Sequence, residues 1–170
     1  MQVSSALGNI FSQVRYSAKF KKSKVGGYCE ILHLTRQEME RFRIRRTTDK
    51  GSDIQIVRDA DLPLKNGDVL VDSHDRLVVI EQLPELVISV AILVKDIKKV
   101  IEVSAALAHY VGNRHRPLSV IDRVISFPAL GRGELELFKH VTAPIRKSIR
   151  VTLAETAFEP TNLDQVHEHA

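Results

Sequence analysis

Residues 86–112 read LVISVAILVKDIKKVIEVSAALAHYVG, and this stretch decides the fold of the second half of the chain. Its first nine residues form a nearly continuous apolar run, which is typical of a buried strand. Asp96 follows and can cap a helix with its side chain. Apolar and small residues then recur at helical spacing on one face: Ile97, Val100, Ile101, Ser104, Leu107, Ala108 and Val111. The stretch therefore predicts a strand followed directly by a helix.

The sequence after this helix predicts further elements and a tail. Gly112 stands where a glycine commonly ends a helix, and Gly131-Arg-Gly133 predicts a turn. The predicted elements are strands over 118–127, 134–138 and 151–158 and a short helix over 144–149. The order strand, helix, strand, strand, helix, strand is typical of a ferredoxin-like domain, which we place at residues 86–160. Residues 161–170 are predicted to form a histidine-containing tail.

The first half of the chain predicts a small all-β domain over residues 25–83. Strands are predicted over 25–34, 42–48, 53–57 and 77–81, and turns are predicted at Asp49-Lys-Gly51 and Asn66-Gly67. Thr35-Arg-Gln-Glu38 has the spacing of a capping box and predicts one helical turn. Residues 82–85, with Pro84 at the centre, are the predicted linker. The expected fold class is therefore α+β, with a small β-sandwich or barrel before the ferredoxin-like βαββαβ domain.

Residues 1–24 are predicted to be a basic N-terminal extension. The first 29 residues contain no Asp or Glu, and their cations are Arg15, Lys19, Lys21, Lys22 and Lys24. Such a start is compatible with an organelle transit peptide, and equally with an arm that contacts nucleic acid or an acidic partner. We favour a solvated N-terminus. The absence of a clear apolar region argues against secretion.

The composition argues against membrane and nucleic-acid partners. No apolar run reaches the roughly 18–20 residues that span a bilayer, so no membrane partner is expected. Arg43, Arg45 and Arg46 support nucleic-acid binding weakly, but aromatic residues are only 5% and the net charge is only +4. Cys29 is the only cysteine, which excludes an internal disulfide and a thiolate zinc site and fits a reducing cytoplasm.

The sequence contains no constellation that is typical of an enzyme. It has no glycine-rich phosphate loop, no Gly-x-Ser-x-Gly and no His-Glu-x-x-His. Glu134 and Glu136 alternate along a predicted strand, and they are expected to be solvated positions beside Leu135 and Leu137. We therefore expect a protein without catalytic residues.

Seven histidines are the remaining candidates for chemistry, because imidazole binds nickel, copper and zinc in a chain without paired cysteines. A single histidine is more often a structural or solvent-exposed residue, and nothing raises His33 and His74 above that expectation. His167-Glu-His169 differs, because two imidazoles near a chain end can converge on one ion with little strain. The alternative for these two residues is a disordered polar tail.

His109 and His115 flank the end of the predicted helix. His109 lies on its last turn, where a protonated imidazole would interact favourably with the helix dipole. His115 lies between Arg114 and Arg116, and these positive neighbours favour the neutral imidazole that binds a metal. Spacing alone makes His115 a modest candidate among several.

The segment around His115 resembles that of a known family. Tyr110-Val-Gly-Asn-Arg-His115 resembles the Gly-Asn-Arg-His segment of the UreE family of urease accessory proteins, which are nickel metallochaperones. Three further segments resemble the same family in the same order: Arg43-Ile-Arg-Arg-Thr-Thr-Asp-Lys-Gly51, Leu64-Lys-Asn-Gly-Asp-Val-Leu-Val71 and Ala157-Phe-Glu-Pro160. The resemblance covers roughly residues 28–169.

The resemblance implies a protein that captures Ni(II) and delivers it to apo-urease while the urease active site is assembled. It implies a homodimer with a peptide-binding-like first domain and a ferredoxin-like metal-binding domain. The implied partners are the urease apoprotein, the accessory GTPase UreG and other urease accessory proteins. In the implied site His115 of each subunit meets its mate across the two-fold axis, and open coordination positions keep the ion releasable.

The other candidate ligands follow from the same resemblance. His167 and His169 would complete the coordination shell and pass the ion on, and His140 aligns with an accessory surface histidine of the family. Some members have a further histidine at the position of Tyr110, so His109 is displaced from it by about 100° of helix rotation. Zn(II) or Cu(II) would suit the same imidazoles, so a general metal-binding or buffering protein stays an alternative, as does a basic nucleic-acid-binding module.

Overall fold

The chain divides into two compact units, Met1–Leu83 and Pro84–Ala170, in this computed structural model. The structure describes residues 1–58 and 63–161. Within these residues the fold is mixed α+β, mostly β-sheet with four α-helices. None of the helices in the described residues is long and apolar enough to cross a membrane.

The first unit contains two β-sheets that share one apolar core. Its elements are β1 (Gln2–Val3), β2 (Gly8–Asn9), α1 (Val14–Val25), β3 (Cys29–Leu34), α2 (Arg36–Met39), β4 (Arg43–Thr47), β5 (Asp53–Val57), β6 (Asp68–Asp72) and β7 (Leu77–Gln82). One sheet has the order β1-β5-β4, and the other has the order β2-β6-β7-β3. Ile54 and Ile56 of the first sheet lie in one buried cluster with Val78 and Ile80 of the second. The apolar residues that predicted a β-rich region therefore also build its core.

The N-terminal segment is part of the first unit, whereas we predicted a solvated extension over residues 1–24. β1 pairs in parallel with β5, and β2 pairs with β6 in antiparallel register. In α1 the side chains of Tyr16 and Phe20 are one helical turn apart and pack into a cluster that contains Cys29. Because charged residues surround Tyr16 and Phe20 in the sequence, no helical pattern of apolar residues predicted this helix. Burial raises the pKa of the Cys29 thiol.

Cap and turn chemistry in the first unit agrees with prediction. Thr35 and Glu38 form a capping box at the start of α2, which is one turn long. Gly51 and Gly67 have φ values of +85° and +83°, the left-handed conformation that glycine adopts without steric cost. These features depend on near neighbours in sequence, so local patterns were sufficient to predict them.

The second unit is a four-stranded antiparallel sheet with two helices packed on one face. Its elements are β8 (Glu85–Ile92), α3 (Ile97–Gly112), β9 (Ser119–Ile121), β10 (Val124–Pro128), α4 (Glu134–Val141), a 3-10 helix (Ala143–Ile145) and β11 (Ile149–Thr156). The strand order is β11-β8-β10-β9, and every neighbouring pair is antiparallel. Leu107 of α3 and Phe138 of α4 are buried in a cluster with Ile88 and Phe127 of the sheet.

Two predicted elements around β10 differ from the structure. Residues 118–127 form the hairpin β9–β10 and not a single strand, because Asp122 takes a φ of +54° and turns the chain. The helix predicted over 144–149 is reduced to the 3-10 helix, and Ile149 already begins β11.

The strand predicted over 134–138 is wrong, because these residues begin helix α4. Glu134 and Glu136 lie in its first turn, where carboxylates interact favourably with the helix dipole. Phe138 is buried and anchors the helix on the sheet. The same glutamates were expected to be solvated strand positions, and Glu134 is instead partly buried.

Helix α3 begins as predicted and ends one residue later. The Asp96 side chain accepts a hydrogen bond from the backbone N–H of Lys99, as an N-cap does. Gly112 is still helical and Asn113 is the C-cap residue, so the predicted glycine cap is wrong. The predicted apolar face is also buried only in part, because Ile97 and Ile101 are exposed.

Candidate metal centre

His115 lies just beyond the end of α3, on a tight turn. The backbone N–H of Arg114 donates to Val111 O at 3.0 Å, and that of His115 donates to Gly112 O at 2.9 Å. These bonds join residues three apart, so the chain winds more tightly here than in an α-helix. His115 has a φ of +50° and is exposed.

The backbone of His115 has a conformation that glycine or asparagine normally takes at a helix end. In the described residues, His115 and Asp122 are the only non-glycine residues with positive φ. Side chains other than glycine have a cost of about 1 kcal/mol or more in this region. This conformation, together with its exposure, makes the imidazole of His115 a candidate functional side chain.

The guanidinium groups on either side of His115 have partners of their own. The Cζ atom of Arg114 lies 3.6 Å from the ring centre of Tyr110, and its Nη1 donates a hydrogen bond to the Tyr110 carbonyl oxygen at 3.1 Å. Arg116 pairs with Glu134 of α4, and both of these side chains are largely buried. The two arginines therefore hold the loop on both sides of His115, which itself stays exposed.

Tyr110 is a core residue and not part of an exposed ligand set. Its ring centre lies 6.3 Å from that of Phe127 and 5.0 Å from that of Phe138. Its hydroxyl is buried and has no hydrogen-bond partner within the described part of the chain. Tyr110 thus supports the end of α3 and the guanidinium of Arg114.

His109 is exposed at the last turn of α3 and is bonded to Asn113. The side-chain nitrogen of Asn113 lies 2.9 Å from His109 Nε2, and because an amide nitrogen only donates, the ring nitrogen accepts. We did not predict this bond, although the four-residue spacing on a helix could have indicated it. Both residues also line an open groove of about 310 Å³ whose opposite wall includes Pro144 and Ile145.

The described residues of one chain do not bring the candidate ligands together. His140 is exposed on the last turn of α4. Among residues 1–58 and 63–161, no group of three or more His, Cys, Asp or Glu side chains could hold a metal ion. His167 and His169 lie outside the described residues. The chain therefore offers separate exposed imidazoles, a donor type that suits nickel, copper and zinc.

The start of the C-terminal tail is bonded close to His115 along the chain. The backbone N–H of Thr161 donates to Leu118 O at 2.8 Å. The backbone N–H of Val120 donates to Thr161 Oγ1 at 2.7 Å. Leu118 is three residues after His115, so Thr161 is bonded to a residue that is close to the candidate ligand in sequence.

Two comparisons with known proteins bear on this chain. Residues 28–83, which include β3 to β7, match the family model described as UreE urease accessory protein, N-terminal domain. A protein of Ralstonia nicotianae named urease accessory protein UreE is 29% identical over 120 residues, which are 71% of this chain and 51% of that protein. The chain spans about half the length of the curated relative that it matches.

Proposed function

From the match of residues 28–83 to the UreE N-terminal domain model and the similarity to a protein named UreE, we propose that the chain is a urease accessory protein of this family and a nickel metallochaperone. It captures Ni(II) and delivers it to apo-urease during assembly of the urease active site. The family is one of accessory proteins, and the chain is accordingly not an enzyme. Its proposed action is to bind, hold and release an ion.

The observation that carries the proposal is the exposed His115 in a left-handed conformation at the end of α3. One imidazole holds a metal ion weakly, but a residue near a two-fold axis is duplicated by its symmetry mate. We propose a homodimer in which the two copies of His115 hold one Ni(II). Two protein ligands leave coordination positions open, so the ion stays releasable.

The exposed face of α3 supports the proposed homodimer. Ile97 and Ile101 are 71% and 64% exposed, an unusual position for isoleucine. They belong to an uncharged stripe that consists of Ile97, Ile101, Ser104, Ala105, Ala108 and Gly112. Two copies packed along this stripe would remove the isoleucines from water and bring both His115 residues towards one axis.

The tail histidines are the proposed additional ligands. His167 is six residues beyond Thr161, a span of at most about 20 Å. Thr161 is bonded to Leu118, which lies within about 11 Å of His115 along the chain. A tail histidine therefore has the length to reach the ion, replace a water molecule and transfer the metal by ligand exchange. His169 has two further residues of reach.

His109 and His140 are proposed as accessory ligands during transfer. The Nε2 atom of His109 accepts a hydrogen bond from Asn113, so this bond must break before that atom can bind a metal. His140 is exposed and free of this competition in the described residues. We therefore assign both histidines an accessory role in metal binding, with His115 as the main ligand.

The two units have separate proposed roles. The strand order β11-β8-β10-β9 supports a ferredoxin-like arrangement over 86–160, which presents the metal ligand. Residues 25–83 are the proposed peptide-binding-like domain, and residues 161–170 are the proposed tail. The proposed partners are the urease apoprotein, the accessory GTPase UreG and other urease accessory proteins, in the cytoplasm. Nickel is preferred to zinc or copper on family membership alone, since imidazole binds all three.

Nickel titration of the full chain, with its mass measured in solution, tests this proposal. His115→Gly removes the imidazole and suits the left-handed backbone, so any loss of binding is separate from strain. We expect wild type to bind about one ion per dimer and His115→Gly to bind at least about tenfold more weakly. His74→Ala removes an exposed histidine of the first unit and should bind nickel as wild type does.

Undiminished affinity and stoichiometry in His115→Gly would contradict the proposed site. Transfer of bound nickel to apo-urease, followed as urease activity, separates delivery from buffering. A chain that binds nickel tightly but never activates urease would be a buffering protein and not a metallochaperone.

A further inference from the structure

We propose that the outer face of α1 is a docking surface for an acidic segment of a partner protein. This outer face consists of Val14, Ala18, Lys21, Lys22 and Val25. It lies before the residues matched by the family model, which begin at residue 28. The inference is independent of nickel binding and goes beyond the proposed function.

The packing of α1 determines which of its side chains face outward. Tyr16 and Ser23 are buried, and Phe20 packs partly into the cluster around Cys29. Because successive helical residues turn by about 100°, the outer face lies opposite Tyr16 and Ser23. Val14 and Val25 are 87% and 91% exposed, so this face is open along the whole helix.

The outer face has positive charge that the described residues do not neutralise. Arg15 and Lys19, at its margin, both pair with the single carboxylate of Asp72. Lys21 and Lys22 have no carboxylate partner within residues 1–58 and 63–161. The first 29 residues also contain no acid, so neighbours in sequence cannot supply one. The charge that complements this face would therefore be supplied by a source of negative charge outside this segment.

Apolar side chains lie between these cations and identify the partner more closely. Val14, Ala18 and Val25 form the centre of the outer face. A partner segment with a small apolar strip and carboxylates beside it would cover the valines and pair with the lysines. Pairing of this face with the same face of a second copy does not fit, because both faces have the same charge.

The size of the apolar side chains favours a protein over a lipid surface or a nucleic acid. Helices that insert at a membrane interface use Trp, Phe or Leu, whereas this face has valine and alanine. Single-stranded nucleic acids bind by stacking on aromatic rings, and no aromatic residue lies on the outer face. Small side chains instead allow close approach of another polypeptide.

The test uses the full chain and a labelled helical peptide in which glutamates flank a strip of alanine and leucine. Fluorescence anisotropy at low salt should show saturable binding. Lys21→Glu with Lys22→Glu should weaken it by about tenfold or more, because two attractive pairs become repulsive. Val14→Ser with Val25→Ser should weaken it by about threefold or more, because less apolar surface is covered. All four changed positions are exposed, so circular dichroism should match that of wild type.

A matched control and competing ligands make the outcome decisive. Arg146→Glu with Lys147→Glu reverses two adjacent exposed cations elsewhere and should leave peptide affinity unchanged. No saturable binding, or equal affinity in the Lys21/Lys22 variant, would overturn the proposal. Tighter binding of phosphatidylglycerol vesicles or of a single-stranded oligonucleotide, lost in the same variant, would also overturn it by assigning the face to another class of partner.

Discussion

Backbone conformation separates His115 from the other histidines in the described residues. Its φ of +50° occurs three residues after Gly112, where the sequence had predicted the end of the helix. The helix continues through Gly112 because Tyr110 and Val111 of its last turn are buried in the core. The motif was sufficient to select this candidate residue. Its conformation was not predictable, because tertiary packing of the preceding turn determines it.

Tyr110→Phe is expected to stabilise the second unit by about 1 kcal/mol. An unpaired buried hydroxyl costs roughly 1–3 kcal/mol, and that of Tyr110 has no partner in the described residues. Phenylalanine keeps the contacts with Phe127 and Phe138 and the stacking of Arg114. Urea unfolding followed by circular dichroism measures the change. A loss of stability of similar size would show that the hydroxyl is hydrogen-bonded in solution.

Helix α4 shows how alternation misleads at the scale of one element. Glu134-Leu-Glu-Leu-Phe138 alternates polar and apolar residues, and it therefore predicted a strand. In the structure Glu134 pairs with Arg116 and accepts the backbone N–H of Leu130 at 2.8 Å, while Phe138 is buried. Arg116 and the aromatic partners of Phe138 are distant from α4 in sequence. A short window of residues does not contain them, so it could not distinguish a helix from a strand.

The capping box of α2, by contrast, was predictable and makes stability depend on pH. The backbone N–H of Thr35 donates to the Glu38 carboxylate and lowers its pKa below the ordinary 4.5. Burial opposes this shift, and the Thr35 hydroxyl and Arg46 reinforce it. A carboxylate with a lowered folded-state pKa stabilises the fold fully above about pH 4.5. That contribution is lost as the pH falls through the folded-state pKa.

Glu38→Gln keeps the cap geometry but cannot titrate, so it isolates this contribution. We expect the variant to be about 1 kcal/mol less stable than wild type at neutral pH. The difference should shrink as the pH falls below about 4.5 and through the lowered folded-state pKa of Glu38. Urea unfolding at a series of pH values measures it, with the exposed Glu40→Gln as a control that should change little. A difference that stays constant across this range would contradict the assignment.

At the scale of the whole molecule, long-range pairing accounts for what the sequence could not predict. The order of strands and α-helices in the second unit matches the prediction although the segments 118–127, 134–138 and 144–149 were each misassigned. The split of 118–127 into a hairpin adds one strand, and the helix at 134–138 replaces both the predicted strand there and the predicted helix after it. The apolar strands of the first unit were also predictable. β1 and β2 were not, since each is two residues long and depends on pairing with β5 or β6.

The oligomeric state is the prediction that belongs to the whole molecule. Ile97→Asp with Ile101→Asp places two charges on the exposed stripe of α3, and we expect the mass by light scattering to fall from dimer to monomer. Nickel affinity should fall with it, because the second His115 is lost. Leu137→Asp changes an exposed apolar residue of α4 and is the matched control. A variant that remains dimeric would exclude this stripe as the interface.

The buried thiol of Cys29 makes the transient opening of helix α1 measurable. It is the only cysteine, and it packs in one cluster with Tyr16 and Phe20 of α1. Because the thiol is buried and its pKa is raised, we expect it to react slowly with alkylating reagents while the helix stays in place. The rate of alkylation therefore measures how often α1 opens transiently. A molecule bound to the outer face of α1 would make these openings rarer, and it would therefore slow the alkylation of Cys29.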